Sequence, residues 1–84
     1  MQAVQCKMAR TALGLGVRDL AAAAGVSADT VARFERGEAL KDRTVAALQA
    51  ALEAAGIIFI DENGEGPGVR LRKQAGSPEV SSGQ

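Results

Sequence analysis

Histidine, tryptophan and tyrosine are absent from this 84-residue sequence, which holds two phenylalanines, two prolines and one cysteine. Without histidine and with a single thiol, it lacks a nucleophile–base set and the nitrogen and sulfur ligands of a zinc site. Only hard carboxylates remain as metal ligands, and Asp29 with Glu35 or Glu38 gives paired carboxylates but no base to work with them. No catalytic residue, cofactor or metal is therefore expected. Cys6 cannot close an intramolecular disulfide, and it reads as a small, partly buried helix residue in a reducing cytoplasm. No apolar run approaches the roughly 18 residues that a membrane span requires. The opening MQAVQCKMAR also lacks the charged start and apolar core of a secretory signal. A cytoplasmic chain without a membrane partner is the expectation. Neither charge dominates: ten Lys and Arg stand against ten Asp and Glu. That balance excludes the bulk basicity of a nonspecific nucleic-acid coat.

What is present is alanine-rich and helical in period. Residues 74–84 are Gly, Ser, Pro and polar residues with almost nothing to bury, and they read as a disordered tail. The remaining chain, about seventy residues, is marginal for a single core without an oligomeric partner. A first helix is expected over Gln2–Leu13, with Val4, Met8 and Ala12, flanked by Ala9 and Leu13, as its apolar stripe. Leu-Gly-Leu-Gly at 13–16 ends it. A second helix covers Val17–Ala24, and a third begins at Ser27 as N-cap and stops at Gly37. Asp42 is read as the cap of a fourth, Arg43–Ala55, which Gly56 ends. The period then changes to strands at Ile57–Ile60 and Val69–Arg72, joined by the turn formers of Asp61–Gly68. The expected fold is an all-α helix-turn-helix domain of four short helices over 1–56. A C-terminal β-hairpin follows over 57–73, and then the tail.

The stretch Val17–Arg36, VRDLAAAAGVSADTVARFER, carries most of the information. Ala21 has no bulk where two crossing helices approach, and Gly25 supplies the left-handed turn that a Cβ would penalise. Val26, Val31 and Phe34 point back toward Leu20 and Ala24. A helix, a glycine turn and a second helix in this pattern mark a DNA-binding helix-turn-helix. The chain resembles the lambda-repressor/Cro-type, or Xre-like, family over about Gln5–Ala55. The resemblance rests on Arg10-Thr11-Ala12-Leu13-Gly14, Leu20-Ala21, Ala24-Gly25-Val26-Ser27, Thr30-Val31 and Phe34-Glu35-Arg36-Gly37.

By position, the resemblance implies that Ala28, Asp29 and Arg33 read bases in the major groove of double-stranded DNA. Arg33 would match guanine O6 and N7, while Asp29 would accept from a cytosine amino group or orient Arg33 one turn on. Ser27, Thr30, Arg36, Lys41 and Arg43 would contact phosphates, which position the protein without specifying sequence. Where the family carries a Ser or Thr cap followed by Gln, this chain has Gly16 and Val17, and Arg18 is the residue to compensate. Arg10 and Glu35 resemble a structural ion pair that ties the first helix to the third. Arg70, Arg72 and Lys73 read as a solvated strand face and edge protection.

The leading expectation is a sequence-specific regulator, a repressor, acting as a homodimer on a near-palindromic operator with half-sites one helical turn apart. Ile58, Ile60, Val69 and Leu71 of the hairpin are the expected dimerisation residues. The alternative is an antitoxin-type module that also binds a partner protein, for which the acidic loop Asp61–Glu65 would suit a basic partner. A third reading, a helix-turn-helix that has lost DNA binding, draws on the neutral charge and Val17.

Overall fold

The structure is a computed structural model and describes residues 1–72. Lys73 and the tail 74–84, including its expected disorder, lie outside the described residues. Four helices come first: α1 Ala3–Ala12, α2 Val17–Ala24, α3 Ala28–Glu35 and α4 Asp42–Ala54. Two strands follow, β1 Ile57–Ile60 and β2 Gly68–Leu71, which pair antiparallel in one sheet. The fold class is the one the sequence period predicts.

Small residues set the helix packing. Ala9 and Ala21 are buried, so α1 and α2 can approach their neighbours closely. Leu20, Val31, Phe34, Leu48, Leu52 and Ile57 fill the space between α2, α3, α4 and the start of β1. Gly25 turns α2 into α3 with φ 72° and ψ 31°. Its neighbour Val26 donates its N–H back to the Ala21 carbonyl at 3.0 Å, closing the helix end. Ser27 then caps α3, its hydroxyl accepting from the Thr30 N–H at 3.0 Å.

Three details depart from the sequence expectation. On α1 the buried residues are Gln5, Cys6 and Ala9, whereas Val4 of the expected stripe is 51% exposed. The helix turns its smaller face inward because the hairpin offers something a leucine could not use. Gln5 Nε2 donates to the carbonyls of Ile60 and Gly68 at 3.1 and 3.0 Å. Its Oε1 accepts from the Gln2 N–H at 2.8 Å, so a buried amide is satisfied at both ends. Helix α4 starts one residue early, with Lys41 rather than Asp42 in the extended N-cap conformation. The Lys41 carbonyl already accepts from Thr44 and Val45 N–H, leaving Asp42 in the first turn, where a carboxylate suits the helix dipole. Strand β2 likewise begins at Gly68 rather than Val69.

The hairpin register is Ile57↔Leu71, Ile58↔Arg70, Phe59↔Val69 and Ile60↔Gly68. Side chains alternate across a strand, so Ile57, Phe59, Val69 and Leu71 share one face and Ile58, Ile60 and Arg70 the other. Phe59 and Val69 pack against the core. Ile58 is 38% and Leu71 51% exposed. The four residues expected to dimerise are therefore divided between the two faces.

Candidate nucleic-acid interface

Helix α3 presents its outer side through Asp29 and Arg33, while Val31 and Phe34 are buried on its inner side. The alternation follows from the 3.6-residue period, which sets residues 29 and 33 on one face and 31 and 34 on another. Ala28, at the start of the helix, is half-buried and packs partly against the core. Ser27 and Thr30 share a hydroxyl–hydroxyl hydrogen bond of 2.8 Å at the helix entrance. Arg18, Lys41 and Arg43 are exposed, and among the described residues no ion pair engages them. Lys41 and Arg43 flank the N-terminus of α4. Val17, in place of a polar residue, packs partly into the core.

The base of the interface is a near-buried ion pair. Arg10 Nε and Nη2 donate to the two carboxylate oxygens of Glu35, each at 2.9 Å, while Nη1 donates to the Leu15 carbonyl at 3.1 Å. The Arg10 and Glu35 side chains are 16% and 9% exposed. Bidentate geometry of this kind couples α1 to α3 with fixed orientation. The Arg10 hydrogen bonds hold the Glu35 carboxyl below its ordinary value, against the opposing effect of burial. The Cys6 thiol donates to Glu35 Oε2 at 3.5 Å. Burial above all, with the Glu35 charge beside it, pushes that thiol up to about 12.

Arg33 of α3 and Arg36 directly after it are not free. Arg33 Nε donates to Glu38 Oε1 at 3.1 Å, and Arg36 Nη2 donates to Glu38 Oε2 at 3.3 Å. Arg33 Nη1 also lies 3.7 Å from Asp29 Oδ2, one helical turn back. Hydrogen bonding to Arg33 holds the Glu38 carboxyl below its ordinary value, with Arg36 adding to it. Sequence reasoning missed this role for Glu38. The signal was available: Gly37 after a helix end folds the next residue back over the last turn, and that residue here is a glutamate.

No helix of the described residues is long and apolar enough to cross a membrane. No curated protein matches the chain. A family model for the helix-turn-helix domain matches residues 3–57, the four helices and the first residue of β1. With that match covering well over half of its length, and α2 and α3 joined at Gly25 as the motif requires, the chain belongs to the helix-turn-helix domain family, a DNA-binding family.

Proposed function

We propose that this protein is a sequence-specific reader of double-stranded DNA that acts as a homodimeric transcriptional repressor on a near-palindromic operator. The observation that carries the reading is the outer face of α3, where Asp29 and Arg33 stand out from a helix held by Val31, Phe34 and the Arg10–Glu35 pair. A rigid helix with a long basic side chain at that position suits the major groove. Arg33 reads guanine, and Asp29 orients it or accepts from cytosine. Ser27, Thr30, Arg18, Arg36, Lys41 and Arg43 hold the phosphates. Ala28, half-buried, offers at most a methyl contact to thymine.

One α3 helix makes few base contacts, so a second copy is needed for useful specificity. The exposed Ile58, on the hairpin face opposite Ile57 and Phe59, supports association there. A repressor then works by occupying its promoter. A second reading, that the hairpin loop also docks a basic protein, is favoured by the exposed Asp61, Glu62 and Glu65. A small basic partner encoded beside this chain would support it.

The test is a binding series on a preferred duplex and a scrambled one. Arg33→Ala should lose roughly tenfold to a hundredfold on the preferred duplex and relax choice at one base pair. Lys41→Ala should weaken both duplexes alike and flatten the salt dependence. Equal and salt-insensitive losses from the two variants would contradict the assigned roles.

A further inference from the structure

Three helices in this fold end the same way. The residue after a glycine donates its N–H five residues back: Leu15 to the Arg10 carbonyl at 2.9 Å, Val26 to Ala21 at 3.0 Å, Glu38 to Arg33 at 3.1 Å. An apolar residue commonly occupies this position and packs over the last turn. Leu15 and Val26 are apolar, whereas α3 places a carboxylate there. Gly37, at φ 96°, fixes the turn. Glu38 and Arg33 are thus joined twice, by the backbone bond and by the return bond from Arg33 Nε to Glu38 Oε1.

The consequence lies in which donors remain. Bidentate recognition of guanine uses two adjacent N–H groups of a guanidinium. Arg33 has two such edges, Nε with one terminal nitrogen and the pair of terminal nitrogens. Glu38 sits at a corner of the first, and Asp29 stands 3.7 Å from a corner of the second. Arg36 is tied to the other oxygen of Glu38. The two cations of the reading face are therefore matched by two anions.

We propose that Glu38 is a specificity-determining residue of this surface, holding Arg33 and Arg36 so that these two arginines gain little from phosphates alone. The inference rests on the reading of Arg33 as a base-contacting residue. On random DNA, a phosphate merely replaces a carboxylate as acceptor, and the displaced Glu38 charge stays close to the backbone. At a correctly placed guanine, Arg33 exchanges one engaged donor for two base acceptors. The carboxylate thus costs more at a phosphate, an anion brought beside Glu38, than at guanine, whose acceptors O6 and N7 are neutral.

The experiment measures wild type, Glu38→Gln, Glu38→Ala and Arg33→Ala as full chains on a preferred duplex selected from a random library and on its scrambled version, across a salt series. Both Glu38 variants should bind scrambled DNA several-fold more tightly, with a salt slope steeper by about one for each arginine released. Their ratio of preferred to scrambled affinity should fall several-fold, and their thermal midpoints should stay near wild type, since Glu38 is exposed. Unchanged or weaker scrambled binding by both variants, with wild type selective and Arg33→Ala not, would overturn the role of Glu38 while sparing Arg33. A wild type that selects no sequence, with Arg33→Ala indistinguishable from it, would overturn the reading of Arg33 and this inference with it.

Discussion

Arg10, Glu35 and Cys6 form a small polar knot at the rim of the core, and its chemistry is fixed by what surrounds it. Glu35 has both oxygens engaged by Arg10, so its carboxyl titrates lower in the folded chain than in the unfolded one. A depressed carboxyl contributes stability that is whole above its ordinary value of 4.5 and is lost as pH falls through the lower folded value. Denaturant unfolding of wild type and Glu35→Gln should therefore differ most near neutrality and converge as the pH drops below 4.5. A difference that persists unchanged into strong acid would mean the carboxylate charge is not what matters. Glu35→Ala, which leaves Arg10 nearly buried without its carboxylate, should cost about 3 kcal/mol. The Cys6 thiol is fully buried and poorly ionised. Its labelling by a thiol reagent at neutral pH should be slow and should track unfolding, accelerating in denaturant.

At the scale of elements, glycines with positive φ set where the helices end. Gly37 adopts φ 96°, and a Cβ there would meet nothing within 4 Å, so Gly37→Ala isolates the backbone cost. Thermal unfolding should show a loss of about 1–2 kcal/mol. The hairpin is held to α1 by Gln5, and two strands alone are barely stable in water. Gln5→Ala should lower hydrogen-exchange protection in β1 and β2 more than in α2 and α3. The helix ends and the switch to strand period were legible in the sequence, because Gly25, Ser27, Gly37 and Gly56 punctuate it and Ile57–Ile60 is β-branched and aromatic. The inward face of α1 was not. Val4 and Met8 look like core by period, but the buried face is chosen by Gln5, whose partners are carbonyls more than fifty residues away. Glu38 was hidden for a similar reason: counted as a charge it is one of ten, and its effect depends on the turn that aims it at Arg33 and Arg36.

The whole molecule is electrically neutral in sequence, and each part is nearly so: seven cations stand with six anions over residues 1–56, and Arg70 and Arg72 with three acids in the hairpin. Arg18, Lys41 and Arg43 stand exposed on the helical part, Arg33 and Arg36 are paired with acids, and Asp61, Glu62 and Glu65 collect in the hairpin loop. Such a surface steers DNA weakly and relies on geometry for affinity, so binding should show a modest salt slope for the number of cations present. Ile58→Asp should shift sedimentation toward a monomer if the hairpin joins two copies, and an unchanged mass would place the contact elsewhere. The central claim, that α3 reads sequence, is tested most directly by selection from a random duplex library with the purified chain. The account predicts enrichment of a near-palindrome whose half-sites lie about one helical turn, roughly 34 Å, apart. Failure to enrich any sequence, even at low salt, would contradict it.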